Sequence, residues 1–109
     1  MITQERLMRA VLIERTGEDR LLRVGETTIP VPAPDQLLVR VHATALDRVD
    51  TFIRAGSHGM ADAGPVPGRD LAGEVVAVGA DCPGFAVGDR VVGTGIGAHA
   101  EFALVPVDR

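Results

Sequence analysis

The clearest pattern of apolar and polar positions lies at residues 36–45, QLLVRVHATA, where apolar side chains recur at every second position. Because successive side chains of a β-strand point to opposite faces of a sheet, this alternation predicts a strand with one buried face. Two apolar runs before it, joined at residues 16–19 with Gly17 in the turn, predict a β-hairpin whose loop exceeds two residues. The sequence VPAPD at residues 31–35 is expected to end this pairing, since proline donates no ladder hydrogen bond.

Beyond this strand the spacing of apolar residues changes. In LDRVDTFIRAG, residues 46–56, apolar positions recur at intervals of three and four, which predicts one short helix with Asp47 as its N-cap. Residues 57–68 are predicted to form a loop, and residues 70–85 a strand and turn in which Gly73 indicates a bulge or a close backbone approach. Two more short strands are predicted from AVGDRVVG and HAEFALVPV. Since strands and helices do not alternate, the pattern favours a mostly β barrel or sandwich.

The composition is that of one globular domain. The chain has 109 residues, of which 46% are hydrophobic and 24% charged. Its formal net charge of −4, with scattered basic residues, argues against nucleic acid as a partner. No apolar run approaches the roughly 18 residues of a spanning helix and no export signal is evident, so we expect a cytoplasmic protein without membrane association. The single cysteine, Cys82, is interpreted as a small turn residue.

Three motifs occur in order along the chain: ATALDRVDTFIRAG, PGRDLAGEVVAVGADCPGFAVGDRVVG and GAHAEFALVPVDR. Together they resemble the N-terminal, GroES-like catalytic domain of the medium-chain dehydrogenase/reductase superfamily, and within it the zinc-free quinone oxidoreductase branch. The resemblance covers residues 8–109, and residues 1–7 are predicted to be an N-terminal extension. It implies a mostly β, irregular and partly open barrel with one short helix and no Rossmann domain in this chain.

The resemblance also bears on zinc. Zinc members of the superfamily place a cysteine ligand at the start of the helix and a His-Glu pair after the Pro-x-x-Gly turn; here those positions are Asp47 and the pair Arg69 and Asp70. A guanidinium has no lone pair for a metal and repels a cation, so the resemblance implies a zinc-independent enzyme. The histidines lack metal-ligating spacing and are interpreted as partly exposed or hydrogen-bonded: His42, His58 and His99.

Candidate site residues follow from the same resemblance. Asp47 stands where zinc-free relatives usually have an asparagine near the nicotinamide, and the sequence leaves open whether it is a cleft residue or only a helix cap. Phe52 belongs to a segment that forms a wall of the cleft, with the apolar face of the helix as the alternative. Surface or structural roles are the alternatives for Arg48, His58 and Arg69. The implied substrate-side residues are Asp47, Asp50, Phe52, His58 and Arg69, and the implied cofactor-side residues are Asp47, Arg48 and Thr51.

One glycine pattern suggests a different site. Gly93, Gly95 and Ala98 fit the dinucleotide fingerprint G-x-G-x-x-G/A. That fingerprint needs a following helix and an acidic residue about 20 positions further on. Here HAEFALVPV alternates like a strand, and Pro106 prevents a helix. We therefore interpret Gly93, Gly95 and Gly97 as glycines of a tight loop beside the cleft that binds no phosphate.

The function implied by the resemblance needs more protein than this chain. Complete relatives would bind NADPH on a second, Rossmann-type domain and reduce a quinone, carbonyl or enoyl substrate by hydride transfer. The chain is therefore expected to be an isolated or truncated catalytic domain with little activity alone, with a separate Rossmann-domain chain or a second copy of itself as candidate partners. Two alternatives are a non-catalytic binding or dimerising module and a ring-forming protein like the co-chaperonins, which share the fold.

Overall fold

The computed structural model describes residues 6–15, 20–45 and 66–108 of the chain. Within these residues all regular structure is β, and no helix is long and apolar enough to cross a membrane. The helix predicted at residues 46–56 lies outside the described residues. The strands are β1 (Leu7–Arg15), β2 (Arg20–Thr28), β3 (Gln36–Thr44), β4 (Asp70–Val78), β5 (Arg90–Thr94) and β6 (Phe102–Pro106).

The strands form two antiparallel sheets. β1 and β2 make the predicted hairpin, and the other strands form a four-stranded sheet in the order β5-β4-β3-β6. An isolated bridge between Ala10 and Ala100 joins the hairpin to the segment before β6. The mostly β class is confirmed, and the sheets of the described residues are not closed into a barrel. β1 begins at Leu7, and the division into residues 1–7 and 8–109 remains a prediction.

The core lies against one face of the four-stranded sheet. The alternation predicted for β3 is confirmed in its first half, because Leu37 is 1% exposed and Val39 is fully buried, whereas Arg40 is exposed. It does not continue to the strand end, since Ala43 and Ala45 are exposed beyond the register shift after Val41. Residues of β4, β6 and the connecting turns pack against them, and the full buried cluster is Leu37, Val39, Leu71, Val75, Cys82, Ala98, Ala103 and Val105. Branched aliphatic side chains fill such a pleated surface well, which explains a core with few aromatic residues.

The backbone approach predicted at Gly73 is also confirmed. A Cβ atom at this position would lie 2.1 Å from the carbonyl oxygen of Arg40, a distance that no side chain tolerates. The register between β3 and β4 shifts beside it, between Val41 and Ala43. Glycine therefore allows β3 and β4 to pack closely at an irregular point of the ladder.

The turn that contains Cys82 is fastened to the start of β3. The cysteine is 6% exposed, and its thiol donates to the carbonyl oxygens of Pro34 at 3.3 Å and Gln36 at 3.4 Å. Backbone bonds support the same contact, since Gly79 N–H donates to the Gln36 carbonyl. This placement agrees with the interpretation of Cys82 as a small structural residue in a turn.

Candidate functional site

The candidate site lies where β3 ends and β4 begins. β3 ends at Thr44 and β4 starts at Asp70, so residues 46–65 leave one strand end and return to its neighbour. Most of the candidate residues belong to this connection and lie outside the described residues; their roles stay predictions. They are Asp47, Arg48, Asp50, Thr51, Phe52 and His58.

Arg69 is the one candidate that the structure describes. It is half-buried and directly precedes β4, and its carbonyl oxygen accepts a hydrogen bond from Gly95 N–H at 2.6 Å. This bond extends the β4–β5 ladder by one residue pair, so the backbone of Arg69 is part of the sheet. The structure thus fixes the backbone from which the guanidinium extends, whereas the function of that guanidinium remains a prediction.

Thr44 joins the two strand ends. Its hydroxyl donates to the carbonyl oxygen of Asp70 at 2.8 Å, and Ala45 N–H donates to the same oxygen at 3.3 Å. The Thr44 Oγ1 atom also lies 3.1 Å from Nδ1 of His99. Because the only hydroxyl hydrogen points to the carbonyl, Nδ1 of His99 must be the donor in this contact. The hydrogen-bond network therefore assigns the proton of a neutral His99 to Nδ1.

His99 is also packed against the turn that leads to Arg69. Gly68 has a φ of +104°, and a Cβ there would lie 2.6 Å from the backbone nitrogen of His99 and 2.8 Å from its Nδ1. His99 N–H donates to the Pro67 carbonyl at 3.0 Å, and its own carbonyl accepts from Val11 N–H at 2.9 Å. Positive φ and close contact both require glycine at position 68. His99 thus holds the Pro-Gly-Arg-Asp turn, β3 and β1 together.

Sequence reasoning missed Thr44 as a functional-site residue. The interpretation of His99 as a partly exposed or hydrogen-bonded histidine is confirmed, and the structure adds which groups it contacts. A weak signal was present, because a hydroxyl at the last position of an alternating strand is well placed to bond a neighbouring backbone. What the sequence could not show is that residues 44, 70 and 99 are adjacent, since 55 positions separate the first from the last.

The strand ends enclose a shallow, largely apolar depression. It has a volume of about 270 Å³ and is lined by Ala43, Thr44, Ala45, Asp70, Leu71 and Ala72. Three of the six lining residues are alanines. Among the described residues, the polar side chains of this lining are those of Thr44 and Asp70. The depression lies at the end of β3 and the start of β4, and the cleft wall implied for residues 46–65 remains a prediction.

The glycines of the apparent dinucleotide fingerprint are packed against the sheet. A Cβ at Gly95 would lie 2.7 Å from a methyl group of Leu71 and 3.0 Å from the carbonyl oxygen of Leu104. Gly97 has a φ of +70° and faces Val66 at 3.3 Å. The chain then enters strand β6 rather than a helix. Gly95 and Gly97 therefore lie in the packed loop that was interpreted, whereas Gly93 lies in strand β5. That this segment binds no phosphate remains a prediction, which the missing helix supports.

The sequence matches a known protein family over most of its length. The model of the alcohol dehydrogenase GroES-like domain matches residues 33–109, which include β3 to β6 and the whole candidate site. The chain belongs to this GroES-like domain family. The resemblance inferred from the three motifs is therefore confirmed.

Individual relatives of this GroES-like domain are quinone oxidoreductases. The one from Sus scrofa is 40% identical over 112 residues, covering 99% of the chain and 34% of that protein. The structure of the quinone oxidoreductase from Coxiella burnetii superposes with a TM-score of 0.82 at 28% identity, covering 94% of this chain and 36% of that one. A mycobacterial structure complexed with NADPH gives 0.75 at 36% identity, over 92% and 30%. The chain spans about a third of the length of the curated relatives it matches.

Zinc binding by this GroES-like domain depends on residues inside and outside the described part of the chain. In the described residues, no group of three or more His, Cys, Asp and Glu side chains is arranged to hold a metal ion. Asp47, which replaces the cysteine ligand of zinc members, lies outside them. Zinc independence therefore continues to depend on the chemistry of the residue types, above all on Arg69 in place of a histidine, and remains a prediction.

Proposed function

We propose that this GroES-like domain forms the substrate side of the cleft in a zinc-independent, NADPH-dependent reductase of quinones, carbonyl compounds or enoyl compounds. The observation that supports it most is 40% identity to a quinone oxidoreductase over 99% of the chain. The mycobacterial relative complexed with NADPH supports the choice of cofactor. Because the chain spans only a third of such relatives, we propose that it has little or no activity alone. A cytoplasmic location remains part of the proposal.

Arg69 is the proposed electrophile in place of zinc. A guanidinium stays charged at every working pH and offers two parallel N–H donors to one oxygen atom or to a pair of them. As hydride reaches the substrate, negative charge develops on its oxygen, and a fixed cation nearby stabilises that charge. The ladder bond from Gly95 to the Arg69 carbonyl fixes the backbone, which limits the reorganisation needed during the reaction.

The backbone N–H groups of Gly95, Ile96 and Ala98 already donate to the carbonyl oxygens of Arg69, Leu104 and Gly68, which supports the proposal that this loop binds no pyrophosphate. The proposed cofactor contacts are those of Asp47, Arg48 and Thr51, together with the remaining two thirds of a full-length protein. Bound NADPH would supply the hydride. Asp47 is proposed to order a water molecule or a substrate hydroxyl, since its carboxylate would repel a developing oxyanion.

A chimera tests this proposal. This chain replaces the corresponding first third of the Sus scrofa quinone oxidoreductase, and NADPH oxidation is followed with 1,4-naphthoquinone. We expect turnover that a zinc chelator leaves unchanged and that the isolated 109-residue chain lacks. Mixing the isolated chain with the separate remainder of the relative tests whether a Rossmann-domain chain can act as a partner without a covalent link.

The role of Arg69 is tested in the same chimera. Arg69→Gln removes the charge and should lower kcat by about a hundredfold with a smaller effect on KM, because the charge stabilises the transition state more than the bound substrate. Arg69→Lys should retain part of the rate. An equal loss in both variants, or activity that a chelator abolishes, would contradict the proposed electrophile. Quinone-dependent NADPH oxidation by the isolated chain at ordinary enzyme rates would overturn the half-enzyme proposal itself.

A further inference from the structure

The outer edge of β5 has the features of a pairing edge. β5 has one neighbour in the sheet, β4, and Val92 at its centre is 82% exposed. At the opposite edge, β6 is already bridged by Ile96, whose N–H donates to the Leu104 carbonyl, and β6 ends at Pro106. β5 is thus the edge of this sheet that contains no proline and that no described segment covers. Such edges pair readily with further strands.

The hydrogen-bond pattern shows which residues of β5 face outwards. Gly95 N–H donates to the Arg69 carbonyl and Val75 N–H donates to the Asp89 carbonyl, and both pairs follow the β4–β5 register. In an antiparallel ladder, hydrogen-bonded and non-hydrogen-bonded pairs alternate. Odd-numbered residues of β5 therefore bond to β4. The N–H and C=O groups of Arg90, Val92 and Thr94 point away from β4, towards the open edge.

We propose that two copies of this chain associate through β5, antiparallel about a two-fold axis at Val92, to form one continuous sheet. In this register Val92 faces Val92 of the second copy, and Arg90 faces its Thr94. Each of these pairs would exchange N–H···O bonds in both directions, because all three residues present their backbone groups at the edge. A two-fold axis makes the same surface its own complement, so no other protein is needed.

Side chains on the exposed face fit the same register. Directly opposed residues share a face, and β5 places Val92 opposite Ala72, Arg90 opposite Glu74, and Thr94 opposite Asp70. The paired sheets would therefore have an apolar central row of Ala72 and Val92 from both copies. Burial of these exposed apolar side chains against each other removes apolar surface from water and would stabilise the dimer.

The charges along one cross-strand row support a second copy of this chain as the partner. Glu74 is flanked by Arg40 on β3 and Arg90 on β5, so this row has two cations to one anion within a single copy. Across the proposed interface the next residues in the row are Thr94 and Asp70 of the second copy. Its Asp70 lies two strand spacings from Arg90, about 10 Å between Cα atoms, a gap that the two side chains together can bridge. Symmetry repeats this pair on the other side.

Sedimentation equilibrium of the 109-residue chain tests the proposal. We expect a reversible dimer of twice the 11.4 kDa chain mass. Val92→Pro removes an N–H that the fold does not use, and should reduce the mass to that of a monomer while the far-ultraviolet circular dichroism is unchanged. Val92→Lys is the second disrupting variant if proline alters the fold. Val31→Lys, at a loop residue 86% exposed, is the matched control and should remain dimeric.

Charge exchange tests the register. Arg90→Glu should weaken the dimer by about tenfold, and Arg90→Glu combined with Asp70→Arg should restore it. Amide exchange at Val92 should slow as chain concentration rises, because its N–H gains an acceptor only in the dimer. A monomeric wild-type chain, a sevenfold ring, or a dimer that survives both Val92 variants would overturn the proposal. None of these outcomes depends on catalytic activity.

Discussion

The four-stranded sheet and the β1–β2 hairpin follow the same alternating pattern but bury it differently. In the sheet, Leu37 is 1% exposed and Val39 is fully buried at the centre of one face, where Val41 and Val91 are partly buried. The hairpin buries Met8, Ala10 and Leu12 on one face, while its other face carries Leu22 and Val24 on β2, which are 47% and 63% exposed. Alternation therefore predicts a strand reliably, but the depth of burial depends on what packs against each face.

The difference extends to how the two sheets are held. Side-chain packing stabilises the four-stranded sheet, whereas the described contacts of the hairpin with the rest of the chain include several backbone bonds. Val11 N–H donates to the His99 carbonyl, Glu101 N–H donates to the Arg9 carbonyl, and Arg9 N–H donates to a carboxylate oxygen of Glu101. We expect substitutions in the sheet to affect global stability and those at the hairpin contact to affect local opening.

The largest effect is predicted for Leu37→Ala in the core. Its side chain is 1% exposed, so truncation leaves a cavity and should lower the free energy of unfolding by about 3 kcal/mol. Leu22→Ala on the hairpin is the matched control and should cost less than about 0.5 kcal/mol. Urea denaturation of both variants measures the contrast. Equal losses would show that the hairpin face is as well packed as the core.

A smaller loss is predicted at Gly68, where the Pro-Gly-Arg-Asp turn meets His99. Gly68→Ala combines a positive φ with a contact of 2.6 Å and should cost about 2 kcal/mol. Gly84 has a φ of +86°, and a Cβ atom there would have nothing within 4 Å, so Gly84→Ala isolates the backbone strain alone, about 1 kcal/mol. If the two variants unfold at the same urea concentration, packing against His99 does not restrict position 68.

Thr44→Val should cost about 1 kcal/mol, because it removes the hydroxyl that bonds Asp70 and accepts from His99. Thr44→Ser keeps the hydroxyl and should restore most of the stability. Nitrogen NMR of the His99 ring gives an independent measurement, since the wild-type neutral ring should be protonated at Nδ1. A ring protonated at Nε2 instead would contradict the assigned donor.

The smallest effect is predicted for Glu101→Ala at the hairpin contact. Loss of the acceptor for Arg9 N–H should lower stability by about 0.5 kcal/mol and speed hydrogen exchange at that amide. Exchange at Val39 in the core should change only by the same small amount, because the core opens by global unfolding. If hydrogen exchange increased at Val39 and not at Arg9, the expectation that the hairpin contact opens locally and the core only globally would be wrong.

Local chemistry in the sequence determined much of the fold. The period of two in β3, the prolines after the hairpin and the close approach at Gly73 were all predictable, because each depends on one residue type and its neighbours. The GroES-like family also followed from motifs in the sequence. Its candidate site is predicted mainly by that resemblance, and only Arg69 among the site residues lies in the described part of the chain.

The tertiary structure decided which distant residues meet. Thr44, Asp70 and His99 form one hydrogen-bonded group, although no local pattern relates their positions. The structure also decided that β5 lies at a sheet edge and that Arg90, Val92 and Thr94 present their backbone groups there. Strand order and register depend on long-range packing, so a sequence can specify a strand through its own residues while its neighbours depend on the rest of the chain.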